Sequence, residues 1–320
     1  MDGTLSDWFP IKSGVRQGCT IAPSLFLTPM DWLLERTVHR GFSGASLGDE
    51  SFTDLDYADD VALLAEMLEV LILSLEIMQD EAKPFGLEIN WSKTKIQTTV
   101  DTFAPQSVQV AGNAVEITKS FTYLGSRIDW SGRCEAELGR RISITRDCMT
   151  QLDRNIWHSS TSVSTKIRLY CAYILPVLLY GAETWTMTKA MSDKVDAFDQ
   201  WCLRRILRID YRKHVTNAEV RGRTGCPPVS EVIRSRRLRL FGHIARAHPE
   251  MDHCRALRAV INRPPRDWKR RPGRPTHTWT RTVETDLKPS NLGLSSAWHR
   301  AQDRDSWRRL VQTAMPQLGI

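Results

Sequence analysis

The spacing of apolar residues changes character at Gly132, and that change limits the chain to a fold with two dissimilar parts. Before it, short apolar stretches alternate with turn residues. Phe52–Glu66 holds two such stretches on either side of Asp59-Asp60, and Thr94–Val100, Ser107–Val110, Ala114–Thr118 and Phe121–Ile128 follow. Segments of this length between turn signals suit strands, and the first pair suits a hairpin with acids at its tip. Two helices are expected among them. One starts near Pro23 and carries Leu25, Phe26, Met30, Leu33 and Leu34 at helical spacing to about Arg36; the other carries Leu68, Leu71, Ile72, Leu75 and Met78 and is ended by Pro84 and Gly86. After Gly132 the apolar period is helical: Leu138, Ile142, Met149, Leu152 and Ile156, then Val163 to Leu178, then Val195, Phe198, Cys202 and Ile206. The expected class is α+β, mixed to residue 132 and all-helical beyond.

Charge divides at the same place. Residues 1–132 hold 9 Lys and Arg against 19 Asp and Glu, and residues 133–320 hold 35 against 18, so a net −10 stands beside a net +17. A strongly basic part is an electrostatic footprint for a polyanion, and an acidic part is where cation binding is sought; the bland alternative is a solvated surface. The basic residues concentrate between Arg234 and Arg281, with 14 Lys and Arg against 3 Asp and Glu. Within that stretch a helix from Val229 to about Arg246 is expected to bury Val229, Val232, Ile233, Leu240 and Ile244 and to present Arg236, Arg239, His243 and Arg246. Residues 262–277, rich in Pro, Gly and Arg, read as an extended basic linker carrying Arg270 and Arg271. A final helical pair is expected over 279–287 and 295–315.

Several classes are excluded. The longest apolar run, Leu169–Ala182, is shorter than the roughly 20 residues of a membrane span and contains Pro176. The N-terminus lacks the basic start and apolar core of a signal peptide, so a nuclear or cytoplasmic protein is expected rather than a secreted one. Seven cysteines without close repeated spacing read as reduced thiols.

Chemistry concentrates in Tyr57-Ala58-Asp59-Asp60. Adjacent carboxylates at a tight turn repel one another unless a cation lies between them, and hard oxygen ligands suit Mg²⁺. An Asp-Asp pair alone is weak evidence, since such pairs are more often simply solvated. Its neighbours add to it: Gly14-Val15-Arg16-Gln17-Gly18-Cys19 with Pro23, Leu25 and Phe26 comes before, and Gly86-Leu87 with Asn90, Lys93 and Thr94, then Tyr123-Leu124-Gly125, come after. This ordered series resembles the reverse transcriptases of non-LTR (LINE-type) retrotransposons, whose palm carries a Gly-rich turn and helix, a YADD hairpin, a lysine-bearing loop and a primer-gripping hairpin. Phe241-Gly242-His243, Arg271-Pro272-Gly273-Arg274-Pro275 and Ala301-Gln302-Asp303-Arg304-Asp305 are similar to the C-terminal region of such elements.

The resemblance implies a partial palm, an antiparallel sheet with helices, over 1–132, a helical thumb over 133–225 and a basic helical C-terminal region over 226–320. It implies nucleotidyl transfer from a dNTP to a DNA primer copied from an RNA template, the element's own RNA, with two Mg²⁺ ions. Asp59, and Asp60 less directly, would be catalytic metal ligands. Arg16, Gln17, Gly18 and Lys93 would bind nucleotide and template, Tyr123, Leu124 and Gly125 would grip the primer, and Arg236, Arg239, Arg270 and Arg271 would contact nucleic acid. The family's mechanism also needs a metal-binding aspartate on a strand before the Gly-rich turn. Only Asp2 and Asp7 precede Gly14, and their surroundings resemble the hairpin leading into that turn. The chain therefore reads as the C-terminal portion of such a polymerase, truncated before its first catalytic-aspartate motif and inactive alone. The alternatives are a non-catalytic nucleic-acid-binding remnant and a decayed copy without a selected role. His243, His248, His253, Cys254 and Cys226 fit no standard zinc spacing. Trp268, Trp279, Trp298 and Trp307, interleaved with arginines, could stack on bases but read more readily as core anchors.

Overall fold

The computed structural model describes residues 18–39, 44–99, 105–210, 212–262 and 277–313. The chain clusters into two compact units, one of residues 1–46, 51–94 and 108–115 and one of residues 47–50, 95–107 and 116–320.

In the first unit, helix α1 (Ala22–His39) begins beside Pro23, whose missing N–H costs nothing in a first turn. Strands β1 (Ala45–Leu47) and β2 (Glu50–Phe52) pair with one another. Strands β3 (Asp54–Tyr57) and β4 (Asp60–Leu63) form an antiparallel hairpin, and helix α2 (Leu68–Ala82) follows it. A short 3₁₀ turn at Lys83–Phe85 then ends at Gly86, which takes φ +67° and donates its N–H to Lys83 O at 3.0 Å. Met30, Leu33 and Leu34 from α1 bury against Met78 and Ala82 from α2, and Val61 and Leu63 of β4 pack onto the same cluster. The helical spacing read from the sequence thus gives one apolar face per helix.

The β content is not one continuous antiparallel sheet. Strands β5 (Lys95–Gln97), β6 (Ser107–Val110) and β7 (Asn113–Thr118) join in the order β5, β7, β6, with β5 parallel to β7, and β8 (Ser120–Tyr123) pairs antiparallel with β9 (Ser126–Asp129). The apolar stretch Phe121–Ile128 is therefore two strands around a turn, because Leu124 and Gly125 both adopt left-handed backbone angles.

Beyond Gly132 the expected all-helical character holds. The helices are α3 (Glu135–Gln151), α4 (Val163–Leu169), α5 (Leu175–Leu178), α6 (Lys189–Ile206) and α7 (Asn217–Thr224), then α8 (Val229–Ala245), α9 (Asp252–Ile261), α10 (Trp279–Leu287), α11 (Leu294–Gln302) and α12 (Arg304–Thr313). Single π-helical turns at Asp153–Trp157 and Tyr170–Ile174 interrupt the stripes. A large cluster that includes Leu138, Met149, Trp157, Tyr170, Trp185, Phe198 and Ile233 forms one core. Within it Asp199 of α6 accepts from Tyr170 Oη at 2.7 Å and from Arg221 Nη1 of α7 at 3.0 Å, while burial pushes its carboxyl up to about 6 against those bonds. Arg221 also donates to Pro227 O at 2.7 Å. Asp196, one turn earlier, accepts from both the N–H and the hydroxyl of Ser230 and so caps the first turn of α8 from outside that helix. All seven cysteines are free thiols, and no described helix is long and apolar enough to cross a membrane.

Helix α8 passes from this core into a second one. Its first half gives Val229 and Ile233 to the large cluster, and its second half gives Leu238, Phe241 and Ala245 to a cluster completed by α10, α11 and α12. The expected cationic face is corrected in part: Arg239 and His243 are exposed as expected, whereas the other arginines of α8 are tied down. Arg237 is 2% exposed and bonds Asp286 at 2.6 Å, Arg234 donates to Asp286 O, Arg236 to Leu179 O and Arg246 to Ala301 O. Their partners lie some fifty residues away in sequence, outside the reach of helical periodicity. The last expected helix is also two. Asp303 stops α11 and accepts from the N–H groups of Asp305 and Ser306, capping α12, while Gln302 donates to Ala245 O at the end of α8. Trp279, Trp298 and Trp307 pack in this second cluster, as the core reading expects; Trp268 and most of the basic linker lie outside the described residues.

Phe241-Gly242-His243 receives a packing explanation. The Trp307 indole donates to Leu238 O at 2.9 Å and lies across the backbone of α8, so that a Cβ on Gly242 would stand 2.1 Å from Trp307 Nε1. Gly242→Ala is expected to lower unfolding stability by about 1–3 kcal/mol through overpacking, as read in urea denaturation. Restoration of stability when Trp307→Leu is added would identify the indole as the obstacle; unchanged stability in the single variant would refute it.

Candidate functional site

The Tyr57-Ala58-Asp59-Asp60 segment is a two-residue hairpin turn. Tyr57 pairs with Asp60, leaving Ala58 and Asp59 at the corners. Ala58 takes φ +60°, the left-handed region that costs an L-residue roughly 1–2 kcal/mol. Directly opposed residues share a face, which puts Asp56 with Val61 on one side and Tyr57 with Asp60 on the other. Val61 packs on the helices α1 and α2, so Tyr57 and Asp60 stand on the open side. Tyr57 is 67% exposed, and Asp59 and Asp60 are exposed as well. The acids project from the hairpin tip, as the sequence led us to expect. Two carboxylates are hard oxygen donors suited to Mg²⁺, although among the described residues no group of three or more His, Cys, Asp or Glu could hold a metal ion.

Gly18 precedes α1, is exposed and adopts φ +87°; a Cβ there would meet nothing within 4 Å. Its backbone is thus open to close approach. Arg16 and Gln17, its expected companions, lie outside the described residues. Lys93 is exposed at the end of a turn in which its N–H donates to both Asn90 O at 3.0 Å and Asn90 Oδ1 at 3.2 Å. Asn90 explains that loop: its side-chain oxygen adds a second acceptor beside its own backbone carbonyl.

In the second unit, Tyr123-Leu124-Gly125 forms the β8–β9 turn, with Leu124 at φ +47° and Gly125 at φ +74°. Both carbonyls of the turn are occupied. Tyr180 Oη donates to Leu124 O at 2.8 Å, and Arg140 Nη2 donates to Gly125 O at 2.5 Å, as does Arg141 Nη2. Glu137, 2% exposed, accepts from both arginines and from the Arg127 N–H. Burial raises its carboxyl, but the bonds from Arg140, Arg141 and the Arg127 N–H prevail and hold it below the usual range. This turn borders a groove of about 810 Å³ whose walls include Ile128, Pro176, Leu179, Tyr180, Trp185 and Arg236. Sequence reading missed Glu137, Arg140, Arg141 and Tyr180, since nothing in an amphipathic helix announces which distant turn its arginines will hold.

Of the four arginines expected at a nucleic-acid surface, Arg236 is half-buried and tied to Leu179 O, Arg239 is exposed, and Arg270 and Arg271 lie outside the described residues. Ala58→Gly should relieve the left-handed strain at the acid turn and raise unfolding stability by up to about 1 kcal/mol, glycine's larger backbone entropy offsetting the rest. A loss of stability in denaturant titration would contradict this geometry.

Residues 1–128 match the family described as reverse transcriptase (RNA-dependent DNA polymerase). A putative uncharacterized transposon-derived protein of Caenorhabditis elegans is 24% identical over 274 residues, covering 82% of this chain and 96% of that protein. The RNA-directed DNA polymerase from mobile element jockey of Drosophila melanogaster is 24% identical over 219 residues, 64% of this chain but 23% of the polymerase. The Pol polyprotein of the type-1 retrotransposable element R2 of Nasonia vitripennis is 31% identical over 132 residues, 41% of this chain and 12% of the polyprotein. The chain thus spans nearly all of the nematode relative and less than a quarter of these two polymerases. Residues 1–128 thus match the reverse transcriptase family, and the mobile-element relatives support a reverse transcriptase of the non-LTR, LINE type.

Proposed function

We propose that the chain is a portion of an RNA-directed DNA polymerase, with a partial palm over 1–132, a thumb-like helical region over 133–225 and a basic helical region over 226–320. The supporting observation is the placement of Asp59 and Asp60 on the open side and tip of a hairpin whose other face is packed. The reaction joins the primer 3′ oxygen to the α-phosphorus of a dNTP and releases pyrophosphate, with an RNA template directing the choice of base. These carboxylates would hold Mg²⁺, which when bound would lower the pKa of the primer hydroxyl and neutralise charge on the leaving pyrophosphate. Asp59 serves as the principal ligand and Asp60 assists it. Gln17 and Gly18 lie against the template–nucleotide pair, where a backbone without a Cβ permits close contact. Arg16 and Lys93 neutralise phosphate, and Tyr123, Leu124 and Gly125 support the primer terminus.

The mechanism needs a further carboxylate on a strand ahead of the Gly-rich turn, and in these 320 residues only Asp2 and Asp7 precede Gly14. The purified 320-residue polypeptide is therefore expected not to extend a DNA primer on an RNA template with Mg²⁺ and dNTPs. Adding a polypeptide that supplies the preceding palm strand should restore extension, and Asp59→Asn should abolish it again. Template-dependent product from the 320 residues alone, lost in Asp59→Asn, would refute the expectation of inactivity. Persistence of restored activity in Asp59→Asn would refute the assigned role.

The basic region is proposed to hold element RNA through phosphate contacts. Each contact with a single strand contributes a slope of about 0.7 in log affinity against log salt. Replacing Arg239, Arg270 and Arg271 with Ala should make that slope shallower by up to about 2. Arg236→Ala, whose guanidinium is spent on Leu179 O, should lower stability more than it changes the slope. Coincident salt curves for the wild-type chain and the triple variant would remove the phosphate assignment.

A further inference from the structure

The β8–β9 turn is held more firmly than a hairpin of two four-residue strands requires. A two-residue turn with left-handed angles already matches the twist of its strands. Here three side chains from outside the hairpin also converge on its tip. Tyr180, half-exposed, reaches from the segment after α5 to Leu124 O, and its ring packs 3.4 Å from where a Cβ would stand on Gly125. The Arg141 guanidinium stacks over that ring at 4.5 Å while donating to Gly125 O, and Arg140 donates to the same oxygen. Glu137 holds both arginines and the Arg127 N–H, fixing the strand that leaves the turn.

We propose that Tyr180 and Arg141 are positioning residues for the primer terminus, turning both carbonyls of the Leu124-Gly125 turn inward so that it meets nucleic acid through the Leu124 side chain. The proposal rests on the primer-support reading of this turn. Its physical basis is the occupation of the turn's acceptors. With both carbonyls already engaged, Leu124, 39% exposed at the edge of the groove, becomes the contacting group. That contact is apolar, against a sugar or base face, and its location depends on the clamp. The two arginines are engaged by Gly125 O and Glu137, and the proposal assigns them no phosphate contact.

The test uses the 320-residue chain with a DNA primer annealed to an RNA template, the primer ending in a photoactivatable 4-thiothymidine. Tyr180→Phe removes one hydroxyl and keeps the ring under Arg141, and Tyr173→Phe, on a more exposed tyrosine, is the control. Wild-type adducts are expected at residues 123–125. In Tyr180→Phe total binding by anisotropy should stay within about twofold while the fraction of adduct at 123–125 falls roughly fivefold, the weight of one hydrogen bond. Exchange of the amides of residues 124–127 should quicken by a similar factor, and Tyr173→Phe should change neither. An unchanged adduct fraction in Tyr180→Phe overturns the proposal. No wild-type adduct at 123–125, with quickened amide exchange in Tyr180→Phe, overturns the primer-support reading and leaves the clamp standing. Unchanged exchange overturns the clamp itself.

Discussion

The ion pair of Arg237 with Asp286 is the joint on which the helical part of this protein depends. Both side chains are nearly fully buried and meet at 2.6 Å, an arrangement whose desolvation cost is large and whose rupture costs about 3–5 kcal/mol because it strands a charge. Burial raises the Asp286 carboxyl above its ordinary range even against the Arg237 charge. The remaining donors of Arg237 are not idle, since Nη1 reaches Trp185 O at 3.0 Å. One guanidinium thus ties α10 and α8 to the strip Leu179–Trp185, which walls the groove beside the β8–β9 turn. The strength of the pair matters less than its directionality: it fixes α8 at the point where that helix leaves one core and enters the next.

The elements legible in the sequence are those set by local spacing. The stripes Leu138–Ile156 and Val195–Ile206 became α3 with its π turn and α6, and the alternation around Asp59-Asp60 became a hairpin with both acids exposed. What escaped reading depends on partners remote in the chain. Arg234, Arg236 and Arg246 look like a solvated basic face until Asp286, Leu179 and Ala301 are brought alongside. Ala301-Gln302-Asp303 reads as part of a helix, yet Asp303 breaks it by capping the next one. The motif residues that carry the family resemblance divide in the same way: of the described ones in the first unit, Gly18, Asp59 and Lys93 sit on exposed turns while Phe26 and Leu87 pack on its core, and Phe241-Gly242 and Gln302-Asp303 do packing and capping.

Two two-residue hairpin turns serve different ends. The one at Ala58-Asp59 and the one at Leu124-Gly125 each place a non-glycine residue at positive φ, and in each the left-handed residue sits at an exposed tip. Strain of this sort persists where surrounding structure over-determines it. At Leu124 the surrounding structure is visible in Tyr180, Arg140 and Arg141. At Ala58 it is the register of β3 and β4, backed by helices α1 and α2 through Val61 and Leu63. In both, rigidity comes from behind the turn and leaves the front open.

The contact between Gly242 and Trp307 has a consequence for how such sequences diverge. An indole lying on a helix backbone makes the two positions a single unit of inheritance, although sixty-four residues stand between them. A copy that replaces the glycine gains nothing by keeping the tryptophan, and one that loses the tryptophan is released from the glycine. In a lineage of mobile elements accumulating changes without selection the pair should decay independently, while in one whose product is still required to fold the two should be kept or lost together.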